Sequence, residues 1–500
     1  MPSPDHSSRL VRFWSAPPRH PFRILHLSGI AGLALYSAAA GLLLACPNLD
    51  GPAKELFRWG LILGVTTAFA LGYRALRSVP EAARARRIVV GYAVSLTLSA
   101  ALVPAFQSDD VLVYVNIGWQ QAGYGVNPYD VLLYEMPTGL TDPMFYQKWQ
   151  FVPCSYGFLF ALETHAACTI SGPNHALAVF LMKALAASCF LLLGWVIAIG
   201  GRAAGRSTPI RGVFLVLWNP LLLLHGVSNA HNDLQLALGV AIAVVGFLRG
   251  RWLVIFPTLA AAALVKYLSV VVVPFFLIAS VRRFGWWRTA ASCAAALALA
   301  TACWWPYRDG FDSRYFARMG ANLTAIHNSI ASIATFPLEV LRVDEARFGR
   351  LFSGVKTACW GAFATLAGWL LVTRLRRRGT DERRDLVRDC VLLLFAVLLA
   401  SPKYHAWYLG MVLPLAVWLP RASRLRQALL AVGVANLLSF TFVNQTHLLN
   451  AVAMLVAPIV LVLRRPNDAG RTAPPARTPH PPSHEEPAGT GRFARRLREF

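Results

Sequence analysis

The sequence predicts an all-α polytopic membrane protein of about thirteen or fourteen transmembrane helices. Three observations carry that prediction. Of the 500 residues, 56% are hydrophobic and only 14% charged, with a mean hydropathy of +0.49. The apolar residues fall into repeated blocks of about 15 to 25, the length that crosses a bilayer as a helix. Blocks such as RGVFLVLWNPLLLLHGV and AVAMLVAPIVLVL are apolar all round, which excludes a soluble protein, whose helices keep a polar face. The net charge of +24 is carried by short Arg clusters between the blocks. That distribution follows from the positive-inside rule and excludes a nucleic-acid partner. The eight cysteines are scattered, most within apolar blocks (Cys46, Cys189, Cys293, Cys359), with no spacing that suits a metal site or a redox pair.

The first block, about Ile24 to Cys46, is too long for a signal-peptide core and is read as a true span. Arg9, Arg12, Arg19 and Arg23 precede it and place the N-terminus in the cytoplasm. The second span, about Leu56 to Gly72, returns to a basic loop with Arg74, Arg77, Arg84, Arg86 and Arg87. The third, about Ile88 to Phe106, then delivers the long loop 107–150 to the outer face. That loop holds Asp109, Asp110, Asp130, Glu135 and Asp142 against one Lys148, and is longer than a connection needs to be.

The next block contains Pro153, Gly157, Glu163 and His165. If it spanned, the basic loop with Arg202, Arg206 and Arg211 would fall outside, so 151–171 is expected to be interfacial or re-entrant. Spans follow at about Ala176 to Ile199, Gly212 to Val227 and Leu234 to Phe247. The block from Trp252 to Val281 has arginines at both ends (Arg249 and Arg251, Arg282 and Arg283). Both flanks belong inside, so the chain must cross twice, with Lys266 and Tyr267 at the outer turn. Beyond Thr289 to Trp305 lies a second outer loop, 306–350. The remaining spans are at about Leu351 to Val372, Leu392 to Ala400, Trp407 to Leu419, Ala428 to Phe442 and Leu448 to Leu463. Residues 1–464 thus form one transmembrane domain. The segment 465–500, with seven prolines, is expected to be a disordered cytoplasmic tail.

Under this topology the unusual polar groups converge on the outer face. They are Asp109 and Asp110; His231, Asn232 and Asp233; Lys266; Tyr307 and Arg308; and Lys403, His405 and Tyr408. A carboxylate at a water-accessible membrane boundary can serve as general base toward a hydroxyl. Cations nearby can stabilise a departing phosphate, and Lys266, Lys403 and His405 are the candidates for that. The aromatics Tyr114, Trp119, Tyr124, Tyr129, Tyr146, Trp149 and Tyr156 suit stacking on sugar faces, and equally suit an interfacial aromatic belt. Two adjacent Asp residues leave a divalent metal open; no other cofactor is required.

Asp110 followed by Tyr114, then Gly125, Asn127-Pro128-Tyr129, Trp149 and Tyr156-Gly157, resembles the first outer loop of the glycosyltransferase-C superfamily. The likeness is to its bacterial polyprenol-phosphate-mannose-dependent mannosyltransferases. NAHNDL (Asn229 to Leu234) and SPKYHAWYL (Ser401 to Leu409) are similar to later motifs of that family. The sequence departs from it at Phe158, where the family has Pro, and at Asp109, which makes an Asp-Asp pair. The resemblance implies an inverting transfer of a sugar, mannose by that likeness, from a polyprenyl-phosphate donor to a lipid-linked or cell-envelope glycan. Asp110 is the implied base, with Asp109 as the alternative. Tyr114, Tyr129, Trp149, Tyr156, His231, Asn232, Asp233 and Tyr408 are the candidate substrate contacts. The implied setting is a multi-pass protein of the bacterial inner membrane, among membrane lipids, with its active site on the outer face. Two other readings share the architecture: a transporter or flippase, and a polymer ligase or oligosaccharyltransferase-like enzyme. The absence of an internal repeat and the boundary position of the acids weigh against transport.

Overall fold

The computed structural model describes residues 16–80, 83–136, 141–204, 209–310, 312–322, 328–341, 344–377, 381–442 and 451–464. The expected tail, 465–500, lies outside the described residues, as do parts of both outer loops and the start of the last span. The described residues are helical, with no strand among them.

In chain order the helices are α1 (Pro21–Ala45), α2 (Gly51–Arg77), α3 (Ala83–Leu102), α4 (Asp110–Tyr124), α5 (Phe158–Ser171), α6 (His175–Ala203) and α7 (Pro209–Leu217). A π-helical turn (Leu222–Ser228) leads to α8 (Asp233–Arg249) and α9 (Trp252–Val265). A 3₁₀ turn (Tyr267–Val272) runs into α10 (Val273–Phe284), followed by α11 (Trp286–Trp304), α12 (Ser313–Asn322), α13 (Ile330–Val340), α14 (Glu345–Arg376) and α15 (Glu382–Ala400). The chain ends with α16 (Leu413–Ala416), α17 (Arg424–Phe442) and α18 (Ala457–Arg464). Starts and stops follow local chemistry. Asn174 caps α6 by accepting from the Leu177 amide, and Asp344 and Asp381 do the same for α14 and α15. Gly125 and Gly250 close α4 and α8 in the left-handed conformation, at φ +64° and +75°.

Six helices among the described residues are long and apolar enough to cross a membrane, or seven if α7 and the π turn, bent by 61°, count as one broken span. This is fewer than the sequence expectation because several apolar blocks fold as short or broken helices, such as α9 with 14 residues. The chain nevertheless shuttles between two ends of the bundle. The Arg211 guanidinium donates to the Arg77 carbonyl, and Arg282 donates to the carbonyls of Leu375 and Arg377. Arg314 and Arg318 instead bond Asp130 in the segment after α4, but the Arg211 and Arg282 contacts set those two and Arg77 at one end. Lys266 lies at the other, bonded to Asp233 at the start of α8, while Arg283 bonds Phe247 near the end of α8. The double passage of 252–281, with its reversal at Lys266, is therefore present.

The stretch 107–150 differs from the loop the sequence suggested, because residues 110–124 form α4. Val111, Tyr114, Val115 and Gly118 recur at helical spacing and are buried. Gly118 lets α4 lie directly on α5: a Cβ there would come 2.2 Å from the Thr164 carbonyl oxygen. At the start of α5, Gly157 is equally confined, since its Cβ would meet the Leu264 carbonyl oxygen at 2.1 Å, and its amide donates to Val265. α5 is thereby tied to the end of α9, one residue before Lys266. Phe158 occupies the first helical position, where Pro and other residues exchange without loss of a helical hydrogen bond. Its ring stacks on Tyr307 and packs against Tyr129.

Candidate active site

A cleft of about 170 Å³ opens between α4, the segment 149–156 and the segment 403–408. Asp110 opens α4, and one face of that helix (Asp110, Val113, Asn116, Ile117, Gln120) lines the cleft. Trp149 and Tyr156 form a second wall, and Lys403, His405 and Tyr408 a third. Six of the residues singled out in the sequence thus meet in one place, although they come from opposite halves of the chain.

Asp110 is the only acid lining this cleft among the described residues. Its carboxylate is 28% exposed, and Oδ2 stands 3.3 Å from His231 Nδ1. Burial pushes its pKa up, but the close approach and charge of His231, with the charges of His405 and Lys266, outweigh that and hold it below the usual carboxylate range. His231 is itself buried, and Trp407 lies between two histidines. The indole stacks on His231 and on His405, each at 4.3 Å between centroids and 9° between planes. This sandwich fixes the imidazole behind Asp110 relative to the imidazole on the cleft wall.

The backbone is strained where it carries these groups. Ala230, just before His231, has φ +56°, and Trp149 has φ +61°. Non-glycine residues in this region cost about 1 to 3 kcal/mol each and cluster at functional sites. The π-helical turn that presents His225 and Ser228 ends just before this loop. The buried carboxamides of Asn229 and Asn232 have no hydrogen-bond partner among the described residues, a cost of about 1 to 3 kcal/mol each that native structures carry mostly at working sites.

Several candidates make contacts away from the cleft. Asp109 faces away from the cleft, where its Oδ2 accepts from the Tyr146 hydroxyl at 2.7 Å and from Lys148. It pins the segment 146–148 to the start of α4. Tyr114 is packed edge-on against Tyr156 and Phe160, and Tyr129 is enclosed by Phe158, Tyr307 and Tyr315. Neither lines the cleft, because both point from their backbone into the aromatic core. Lys266 is not a cleft-wall cation. Its Nζ is 2.7 Å from Asp233 Oδ1 and 4.4 Å from the centre of the Tyr408 ring. Asp233, buried at the start of α8, is accordingly a partner of Lys266 rather than a lining residue. Asn232 and His231 likewise sit behind the cleft. Lys403 lies 6.0 Å from the centre of the Trp149 ring, and partial burial lowers its pKa.

The sequence reading missed Asn116 and Gln120, whose i, i+4 spacing on a helix running from Asp110 was a usable signal, and Trp407, whose stacking across the chain left none. Among the described residues no group of three or more His, Cys, Asp or Glu side chains is placed to hold a metal ion, and Asp109 and Asp110 diverge.

His231 is expected to act on the pH profile through Asp110. A carboxyl held low remains ionised down to its depressed pKa, so activity should fall only below about pH 4, the ordinary carboxylate midpoint. His231→Gln removes the neighbour and leaves the burial, so the acid limb should move upward. A pH–rate profile of kcat for the two proteins measures this, and an unmoved limb would separate His231 from Asp110.

An all-α membrane bundle with one carboxylate in a polar, aromatic and cationic cleft is consistent with a glycosyltransferase of the GT-C type. The comparison with known families makes this specific. Residues 34–282 match the alpha-(1->6)-mannopyranosyltransferase family over its N-terminal domain, and across that range the chain belongs to this mannosyltransferase family. No curated protein and no solved structure matches the chain. The protein is therefore a multi-pass membrane glycosyltransferase, which decides against the transporter or flippase reading.

Proposed function

We propose that the cleft transfers mannose from a polyprenyl-phosphate donor to a hydroxyl of a lipid-linked or cell-envelope glycan, on the outer face of the membrane and with inversion. The observation that carries this reading is the placing of Asp110 on one wall of the cleft and Lys403 and His405 on another. The acceptor hydroxyl gives its proton to Asp110 as its oxygen bonds to the anomeric carbon. The bond from that carbon to the phosphate oxygen breaks, and the electron pair leaves with polyprenyl phosphate. Lys403 and His405 meet the charge that gathers on that phosphate. The family description names an α-(1→6) linkage. An inverting enzyme that makes an α product needs a β-linked donor, and a 6-hydroxyl acceptor is a primary alcohol, the least hindered on a hexose. The outer-face assignment rests on Arg77, Arg211 and Arg282 at the opposite end of the bundle and on the Arg-rich connections of the sequence.

The test is turnover by the purified, reconstituted protein with mannose presented either on polyprenyl phosphate or on a nucleotide diphosphate. Transfer from the nucleotide donor alone would overturn the proposal. Lys403→Gln should raise KM for the lipid donor about 10- to 100-fold, the worth of a charge-assisted contact of about 1.5 to 3 kcal/mol. Donor titrations of wild type and variant check this, and an unchanged KM would remove Lys403 from the phosphate.

A further inference from the structure

A second cavity, of about 340 Å³, lies at the far ends of α3 and α6 from the cleft. Two helical rows form its walls. Arg86, Val90 and Val94 are spaced i, i+4, i+8 on α3, and Leu191, Trp195 and Arg202 are spaced i, i+4, i+11 on α6, with α7 closing the third side. The two arginines stand at the same end of the rows, and the apolar side chains continue about 10 to 15 Å below them toward the bundle's middle. Val90 is 43% exposed and Trp195 62% exposed, so the groove opens outward, where lipid chains pack.

Several other arginines of the bundle are engaged within the protein. Arg84 lies over the Phe22 ring, Arg211 bonds the Arg77 carbonyl, Arg282 pairs with Glu382, and Arg374 pairs with Asp389. Among the described residues neither Arg86 nor Arg202 has an ion-pair or hydrogen-bond partner, and no acid lines the groove. Orientation by the positive-inside rule requires arginines at this end, but not an apolar channel running down from two of them.

We infer that this groove is a binding site for one anionic phospholipid, its phosphate between Arg86 and Arg202 and one acyl chain along the rows beneath. Guanidinium groups match phosphate oxygens in pairs. The lack of an acid leaves nothing to receive the ammonium of a zwitterionic headgroup, which favours a net negative lipid. The site is separate from the transfer cleft by the length of α3 and is independent of the donor assignment made above.

The test uses the full chain in phosphatidylcholine nanodiscs doped with phosphatidylglycerol, followed by native mass spectrometry of the lipid retained after mild extraction. Wild type should keep one phosphatidylglycerol in preference to phosphatidylcholine. Arg86→Gln and Arg202→Gln should each weaken retention about fivefold, and the double variant about 25-fold. Val90→Trp, which fills the groove at an exposed position without a charge change, should also lose the lipid. Turnover on donor should remain in all of them. Undiminished retention in the double variant, or equal retention of phosphatidylcholine, would overturn the inference. So would displacement by glycerol phosphate as effective as that by the lipid, which would mean a headgroup-only site, or selective displacement by polyprenyl phosphate, which would give the groove to the donor.

Discussion

Asp110→Asn is expected to lower kcat about 100- to 10,000-fold, the usual loss for a positioned general base, while the protein still inserts and binds its donor. The carboxamide keeps the shape of the side chain at the start of α4 and can still meet His231, so the change is confined to proton acceptance. Asp109→Asn provides the internal comparison. Asp109 is bonded to Tyr146 and Lys148 outside the cleft, and its loss should loosen the segment that carries Trp149 and cost far less. Measurement of kcat and donor affinity for both variants decides the assignment. Near-normal turnover by the Asp110 variant with loss in the Asp109 variant would exchange the two roles.

The contrast between the neighbours shows what the sequence could and could not say. Both acids are legible as an Asp-Asp pair at the end of a span, and nothing in the residue types separates them. The separation comes from helix α4, which begins at Asp110 and turns its side chain onto the cleft face while Asp109 remains outside the helix. α4 itself escaped the sequence reading because Asn116, Gly118, Gln120 and Gln121 dilute its apolar pattern. Those are the residues that line the cleft or let α5 approach, so function and close packing hid the helix. By contrast, the double passage of 252–281 was legible, because charge on both flanks constrains topology whatever the packing. Tyr114 and Tyr129 illustrate the opposite case. An aromatic beside an active-site loop reads the same whether it stacks on sugar or fills a core, and only burial distinguishes them. The Trp407 sandwich joins residues from positions 231, 405 and 407, and no local pattern announces it.

Lys266→Gln is expected to destabilise the protein by about 3 to 5 kcal/mol, because it leaves the buried Asp233 carboxylate without its partner. This outcome differs from that of a lysine whose work is to hold the donor phosphate. Loss of a phosphate ligand would raise KM for the donor and leave thermal unfolding nearly unchanged, since the charge would be solvated when no donor is bound. The pair also has a signature that a lone lysine lacks. In Lys266→Gln/Asp233→Asn both charges disappear together, the uncompensated carboxylate is gone, and much of the stability should return, as replacing both members of a buried pair is far milder than breaking it. Thermal unfolding of the two single variants and the double in the same detergent gives the coupling, which should be well outside the additive range. Because Lys266 also helps to keep Asp110 ionised, the double variant should recover its fold without recovering the wild-type acid limb of its pH profile. Additive effects on unfolding, with donor KM raised equally in Lys266→Gln and the double variant, would return Lys266 to the phosphate and remove the ion pair from the account of the site.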